Sequence, residues 1–186
     1  MSGRRGTARK RAPRRAAGHA AAPRSRPAGF AVLTVSDTRR GSGDTSGALV
    51  EKLAEGARHR VLVRGWVADE PAAIRRAARQ ALARDGVDVL VVTGGTGAAP
   101  RDRTPEALAP LIERGLPGFG ELFRLLSVDQ VGTAAWLSRA MAGIAAGKLV
   151  VLLPGARAAV ELGMKRLLLP ELGHVLRMLG RLEPKE

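Results

Sequence analysis

The sequence predicts a three-layer α/β/α sandwich with a mainly parallel sheet. Short apolar runs rich in β-branched residues, the clearest at 87–92, alternate along the chain with segments of helical periodicity. This alternation is typical of α/β folds. The runs are apolar at consecutive positions rather than at every second position. Strands of this kind are covered on both faces, which requires helices on each side of the sheet.

The first predicted strand covers residues 30–35, and Ser36 and Asp37 follow it directly. Ligands of open parallel sheets bind beyond the carboxyl ends of the strands, so polar residues there face the expected crevice. Asp44 then predicts the start of a helix that runs to about residue 55. Capping of this helix, worth about 1 kcal/mol, would by itself account for Asp44.

The second predicted strand covers residues 61–67 and leads into a helix with Asp69 as its N-cap and Pro71 in its first turn. The buried stripe of this helix consists of Ile74, Ala77, Ala78, Ala81 and Leu82. Arginines occupy most of the opposite face, for which a solvated surface is a simpler interpretation than a binding patch. Capping alone would explain Asp69, so its position leaves a chemical role open.

The stretch 87–106 has the form of a strand, a glycine loop and a helix. The strand ends at Thr93. The loop then begins with Gly94, Gly95, Thr96 and Gly97. Glycines allow positive φ angles and a close approach of ligand to backbone. Thr104 is the predicted N-cap of the following helix, with Pro105 in its first position. Backbone N–H groups beside a helix N-terminus suit an anion such as phosphate.

Asp102 adds a carboxylate to this loop. The loop matches neither the P-loop nor the dinucleotide fingerprint, because the Gly-Lys-Ser/Thr of the first is missing and Pro100 replaces the third glycine of the second. A carboxylate beside a phosphate repels it unless a cation lies between them, and Mg²⁺ prefers such a combination of oxygens. Alternatively, Asp102 caps a turn and the glycines form a tight bend. Both interpretations stay open.

The second half of the chain predicts one more buried strand and several helices. The strand covers 149–153, and helices are expected at 106–114, 117–126, 133–141, 156–169 and 170–179. Gly118 and Gly120 disfavour a helix interior, so we expect a tight turn or a close backbone contact there. Arg139 is suited either to bind a phosphate through two N–H groups or to form a salt bridge.

Composition limits the classes of function. The 186 residues allow one domain and a tail, and the hydrophobic fraction of 45% is enough for a core. There is no apolar run of membrane-spanning length and no secretory signal. The absence of cysteine excludes disulfides and thiolate chemistry, and three scattered histidines do not predict a zinc site. We expect a cytoplasmic protein without a membrane partner.

Residues 1–29 are predicted to be a disordered basic tail, and residues 30–186 the folded domain. The tail holds nine of the 31 Lys and Arg and none of the 17 acidic residues, so the domain carries +5 of the net +14. Such a segment buries too little apolar surface to fold. A solvated extension is the simplest interpretation. Nonspecific binding to nucleic acid and an organelle transit peptide are the alternatives.

Several segments, taken in order, resemble the signature of the MoaB/Mog family of molybdenum cofactor biosynthesis proteins. The resemblance covers about residues 30–179. It rests on TVSDTR at 34–39, DTSG at 44–47, TGGTG at 93–97, DRTPE at 102–106, PGFGELFR at 117–124, Ser127, SRA at 138–140 and LPG at 153–155. The segments at 37–39 and 44–47, together with PELGH at 170–174, favour the MoaB branch.

The resemblance implies a molybdopterin-binding-domain fold, a homotrimer or homohexamer, and adenylyl transfer from Mg-ATP to molybdopterin. Asp69 and Asp102 would be the catalytic residues and would hold Mg²⁺. The pterin and the nucleotide would contact Ser36, Asp37, Asp44, Ser46, Gly94, Gly95, Thr96, Gly97, Thr104, Glu121, Ser138, Arg139, Pro154 and Gly155.

Two segments depart from the family pattern, at 98–99 and 156–157, where alanines and an arginine replace glycine, proline or serine of many relatives. They leave a second hypothesis open, in which the protein binds molybdopterin or a precursor without transferring a nucleotide. Retention of both predicted magnesium ligands, Asp69 and Asp102, favours the enzyme.

Overall fold

A computed structural model describes residues 26–37 and 43–182. Within them, the strands are β1 (Gly29–Val35), β2 (Arg60–Val67), β3 (Val89–Thr93), β4 (Arg114–Gly115), β5 (Met141–Ala145) and β6 (Lys148–Leu153). They form one sheet in the order β2-β1-β3-β6-β5-β4. The neighbours β2, β1, β3 and β6 pair in parallel, whereas β5 is antiparallel to both β6 and β4.

The helices cover both faces of this sheet. They are α1 (Thr45–Gly56), α2 (Pro71–Ala83), α3 (Thr104–Leu108), α4 (Pro117–Val131), α5 (Arg157–Leu162) and α6 (Leu169–Met178). Short 3₁₀ segments follow α3 and α4, and a π-helical segment, Gly163–Leu168, joins α5 to α6. No helix among the described residues has the length and apolarity needed to cross a membrane.

Alternate side chains of each central strand enter two separate cores. In β3, Val89 and Val91 pack into the core that holds residues of α1, α4, α5 and α6. Leu90 and Val92 pack into the other core, against α2 and α3. This confirms the predicted three-layer sandwich and explains why the strands are apolar at consecutive positions.

Two of the predicted helix caps are wrong. Glu70, not Asp69, caps α2, because its carboxylate accepts from the backbone N–H groups of Ala72 (3.1 Å) and Ala73 (2.7 Å). Thr104 is the first residue of α3 rather than its cap, and it makes no capping hydrogen bond. The prediction for Asp44 is confirmed, since its side chain accepts from the Gly47 N–H at 2.8 Å.

The helix predicted at 106–114 is also shorter than expected. It starts at Thr104, and its α-helical part ends at Leu108. Pro110 lacks the N–H that an α-helix would require and disfavours its continuation. The 3₁₀ segment Ala109–Leu111 follows, and Arg114 and Gly115 join the sheet as β4. In contrast, α4 is longer than expected and contains Gly120, where an added Cβ would lie 2.6 Å from the carbonyl oxygen of Ala140.

The helix predicted at 133–141 is wrong. Its first part is a 3₁₀ segment, Gly132–Leu137, and the chain then extends through Ser138 into strand β5. Of the predicted helix, only Met141 belongs to β5. The turn of the following hairpin is formed by Ala146 and Gly147, which adopt positive φ angles of 50° and 65° between β5 and β6. Pairing with β6 overrides local propensity here.

At the amino end of β3, Asp88 is fully buried and joins distant parts of the chain. It accepts hydrogen bonds from Arg26 (2.9 Å), Gly29 N (2.9 Å) and Arg181 (2.8 Å). Burial would raise the pKa of Asp88, but these bonds outweigh it and hold the pKa below its usual range. The predicted tail 1–29 is therefore too long, because Ala28 is buried, Gly29 starts β1, and Arg26 is bonded to Asp88. Residues 1–25 lie outside the described residues, so their disorder stays a prediction.

We predict that Asp88→Asn lowers the free energy of unfolding at neutral pH by about 1.5–3 kcal/mol, the typical loss for hydrogen bonds to a charged group. A carboxyl group with a lowered folded-state pKa stabilises the protein above its unfolded-state pKa, and this contribution is lost as the pH falls through the folded-state value. The difference between variant and wild type in urea denaturation should therefore shrink in acid. Asp85→Asn, at an exposed neighbouring position, is the control; equal stability of Asp88→Asn and wild type at pH 7 would contradict the prediction.

Candidate functional site

A crevice of about 250 Å³ lies beyond the carboxyl ends of the parallel strands. It opens where the chain order reverses, because β1 connects outward to β2 while β3 lies on its other side. This is the position at which open α/β sheets bind ligands. Its lining consists of Thr34, Val35, Ser36, Asp37, Ser46, Asp69, Gly94, Gly95, Arg101, Asp102 and Gly155.

The backbone of Gly94 and Gly95 forms the middle of the crevice wall. Both residues have positive φ angles, 102° and 61°. A side chain at Gly94 would collide with the carbonyl oxygen of Val35, and one at Gly95 would collide with Thr104 Oγ1 and approach Asp69. Glycine is therefore required for two reasons, conformation and space.

Three carboxylates meet in this crevice. Asp37 follows β1, Asp69 follows β2, and Asp102 lies in the loop after β3. Asp37 Oδ1 accepts from the backbone N–H of Asp69 at 3.0 Å, which fixes the two residues relative to each other. Since Glu70 performs the capping of α2, the side chain of Asp69 is available to the crevice.

The environment of Asp69 is unfavourable for its negative charge. Burial raises its pKa, and the charges of Asp37 and Asp102 raise it further, against smaller opposing effects of the Arg103 N–H and Arg101. Its Oδ1 atom is buried and has no hydrogen-bond partner among the described residues. A buried carboxylate oxygen without a partner beside two further carboxylates is suited to a cation.

The described residues include no group of three or more His, Cys, Asp or Glu with metal-ligand geometry. The donor set would therefore be one or two carboxylates, completed by oxygens of a ligand. That is the usual arrangement for Mg²⁺ held together with phosphate.

The structure confirms the turn-capping interpretation of Asp102, and its role in holding a cation stays a prediction. Its Oδ2 accepts from the Ala99 N–H at 3.2 Å, and its own N–H donates to the Ala99 carbonyl at 2.9 Å. It thus caps a turn in the loop. It also lines the crevice.

A polar network supports the opposite wall. Asp44 accepts from Thr34 Oγ1 at 2.9 Å and forms an ion pair with Arg64 at 3.2 Å. Ser46 Oγ lies 3.1 Å from Thr93 Oγ1. Ser46 lines the crevice, whereas Asp44 does not. The contacts of Asp44 are those of a helix cap that orients the start of α1.

Several predicted site residues lie outside the crevice lining: Asp44, Thr96, Gly97, Thr104, Glu121, Ser138, Arg139 and Pro154. Thr104 is buried directly beside Gly95, and Glu121 is exposed on α4. Ser138 Oγ accepts from the backbone N–H of Ala140 at 3.3 Å. Arg139 forms the salt bridge that the sequence offered as an alternative, with Glu106.

Three lining residues were not predicted, Thr34, Val35 and Arg101. Thr34 belongs to the buried strand β1, whose apolar pattern predicts a core position rather than a contact with a ligand. Arg101 is an exposed loop residue next to Asp102. Its position next to a predicted phosphate loop was a usable signal, because a guanidinium group is a good phosphate ligand. Arg101 is the one cationic side chain among the described residues that line the crevice.

Comparison with known proteins shows the family of the chain. A family model described as a probable molybdopterin binding domain matches residues 31–174. The molybdenum cofactor biosynthesis protein B of Halalkalibacterium halodurans is 46% identical over 147 residues, which cover 78% of this chain and 86% of that protein. The chain belongs to the MoaB/Mog family of molybdenum cofactor biosynthesis proteins.

Solved structures of the family have the same fold. A molybdenum cofactor biosynthesis protein B matches with a TM-score of 0.81 and 40% identity, covering 83% of this chain and 97% of that one. The tungsten cofactor synthesizing protein MoaB from Pyrococcus furiosus matches with a TM-score of 0.76 and 35% identity over 83% and 98% of the two chains. A MogA structure is 28% identical with a TM-score of 0.73, covering 81% of this chain and 99% of that one. The higher identities to MoaB proteins agree with the predicted branch.

We predict that Asp69→Asn stabilises the ligand-free protein. A carboxyl group with a raised folded-state pKa costs folding free energy above its unfolded-state pKa, and this cost is relieved as the pH falls through the folded-state value. The free energy of unfolding at pH 7 should rise by about 0.5–2 kcal/mol, as when functional strain is removed. The gain should disappear at acid pH.

Urea denaturation over a pH series measures this effect. Asp129→Asn makes the same change at an exposed position on α4 and serves as the control. An Asp69→Asn variant less stable than wild type at pH 7 would mean that the carboxylate is already satisfied where it lies.

Proposed function

We propose that this protein acts in molybdenum cofactor biosynthesis as a molybdopterin adenylyltransferase. The observation that carries the proposal is that Asp37, Asp69 and Asp102 line one crevice whose wall includes the backbone of Gly94 and Gly95. Carboxylates next to an anion-binding backbone suit a ligand that brings a divalent cation and phosphate together. The names of the curated relatives, which describe molybdenum cofactor biosynthesis proteins, support the pathway.

In the proposed reaction, a phosphate oxygen of molybdopterin attacks the α-phosphorus of ATP. A new bond forms between this oxygen and phosphorus, and the bond from the α-phosphorus to the bridging oxygen of the β-phosphate breaks. The bonding electrons leave with pyrophosphate, and adenylylated molybdopterin is the other product. Reactions of this kind depend mainly on positioning and on neutralisation of charge.

Mg²⁺ would be held by Asp69 and Asp102, since Asp69 Oδ1 is buried without a partner and Asp102 lines the same crevice. When bound, it would neutralise charge that develops on the phosphate oxygens. Asp37 fixes the backbone of Asp69 through its hydrogen bond, and the family resemblance assigns it to the pterin side together with Ser36 and Ser46.

Arg101 contributes a positive charge to a crevice that otherwise holds three carboxylates. Its guanidinium group is exposed at the crevice. The Gly94 N–H already donates to the Leu153 carbonyl at 3.0 Å, so the Gly95 backbone is the part of this wall that would face a phosphate group, within the field of this arginine. In this proposal, backbone N–H groups and Arg101 bind phosphate oxygens, and the aspartates hold the cation.

The test of this function is pyrophosphate release by the purified protein given molybdopterin, ATP and Mg²⁺. We expect release that requires all three. Asp69→Asn and Asp102→Asn should each reduce the rate by at least about 100-fold, because each removes a predicted metal ligand. Asp129→Asn should leave the rate unchanged.

Tight, stoichiometric molybdopterin binding without pyrophosphate release would contradict the enzyme and favour a molybdopterin-binding protein of the same pathway. The capping role of Asp102 within its own loop is the observation that favours this second function. Wild-type rates in both aspartate variants would contradict the magnesium assignment.

We also propose that the protein is a cytoplasmic homotrimer or homohexamer. A patch on α4 and the 3₁₀ segment after it exposes large apolar side chains, among them Leu125 (67% exposed), Val131 (55%) and Trp136 (72%). Contiguous apolar surface of this kind marks protein interfaces.

Sedimentation velocity should therefore show an oligomer at neutral pH, and Leu125→Lys with Trp136→Lys should dissociate it, because both changes place charge in an apolar contact. Lys165→Glu, on the exposed part of the π-helical segment, is a control for a change of charge. A wild-type monomer would contradict this part of the proposal.

A further inference from the structure

Arg139 joins the start of β5 to the glycine loop. Its Nε donates to the Gly97 carbonyl at 3.0 Å, and one terminal nitrogen donates to the Asp102 carbonyl. The other terminal nitrogen pairs with Glu106 of α3. Its backbone N–H also donates to the Thr96 carbonyl at 3.2 Å. A single residue thus contacts the loop at its beginning and at its end.

Other contacts flank the loop rather than hold its turn: the Arg103 N–H hydrogen-bonds the Asp69 carboxylate, and the Thr104 N–H donates to the Gly95 carbonyl at 3.1 Å. The internal turn of the loop rests on the reciprocal hydrogen bonds between Ala99 and Asp102. These bonds fix the local shape of the turn but not its position relative to the sheet. Gly97 must also stay a glycine, because an added Cβ would lie 2.6 Å from Asp102 Oδ2. Placement of the turn over the crevice therefore depends on contacts from outside the loop.

We infer that Arg139 is a positioning residue whose guanidinium group holds the loop 97–102 so that Arg101 and Asp102 face the crevice. Each of its three nitrogens donates to a protein oxygen, and the side chain does not line the crevice. A phosphate-binding role for Arg139 would require these bonds to break. The planar fork of arginine reaches two carbonyls and a carboxylate at once, which a lysine ammonium cannot match geometrically.

Hydrogen exchange of the ligand-free protein tests this inference without reference to any activity. In Arg139→Gln, the amides of Ala99 and Asp102, which donate hydrogen bonds within the loop, should exchange at least about tenfold faster than in wild type, because opening of the loop no longer breaks the guanidinium contacts. Amides of β3 should keep their wild-type rates. Arg139→Lys should give an intermediate increase, since it keeps the charge but not the fork.

Two further variants sharpen the result. Glu106→Gln removes the charge that orients the guanidinium group and should raise loop exchange less than Arg139→Gln does. Arg79→Gln removes an exposed arginine of α2 and should change nothing. Unchanged loop exchange in Arg139→Gln would overturn the inference, and a simultaneous loss of ATP affinity would assign Arg139 to phosphate binding instead. Faster exchange in β3 as well as the loop would overturn it in favour of a general role in folding.

The consequence for catalysis rests on the proposed function. In the pyrophosphate assay, Arg139→Lys should lower kcat about tenfold and change the KM for ATP by less, because Arg139 lies outside the crevice lining and acts through the placement of Asp102. Absence of pyrophosphate release by the wild type would contradict the proposed function alone. The exchange experiment would still decide the positioning role.

Discussion

Repulsion among three carboxylates is the constraint on which the crevice depends. Consecutive strands β1, β2 and β3 each deliver one aspartate to the same edge of the sheet, because the carboxyl ends of parallel strands meet there. The surrounding contacts hold these charges together. Asp37 accepts from the Asp69 backbone, Glu70 takes over the capping of α2, and Arg139 fixes the loop that carries Asp102. The resulting field favours a divalent cation accompanied by an anion.

Asp88 and Asp69 lie at opposite edges of the sheet, and their surroundings shift their pKa values in opposite directions. Asp88, at the amino end of β3, has two arginines and a backbone N–H to balance its charge, and its pKa is lowered. Asp69, at the carboxyl edge, has burial and two negative neighbours, and its pKa is raised. The first arrangement favours the charged carboxylate, and the second disfavours it, as we propose for a site that binds a cation. Such a contrast is typical of functional sites.

Elements with a strong local signal could be predicted from the sequence. The consecutive apolar runs of β1, β3 and β6 predicted a covered sheet, and the glycines after Thr93 predicted the crevice wall. The helix caps were less predictable, because the side chains of Asp69 and Glu70 can both cap a helix and only the backbone geometry selects Glu70. Strand β5 was missed because its small residues form a strand through pairing with β6. The loop contacts of Arg139 join residues more than 30 positions apart, and no local pattern reveals them.

Calorimetric titration with ATP in the presence and absence of Mg²⁺ tests the central claim, that the crevice carboxylates require a cation to accept phosphate. We predict that the wild type binds ATP with Mg²⁺ and only weakly without it. The double variant Asp69→Asn/Asp102→Asn should show the opposite order, with improved metal-free binding because the repulsion is removed and weakened binding of Mg-ATP because the ligands are lost. Metal-free ATP binding by the wild type that equals or exceeds its binding of Mg-ATP would contradict the claim.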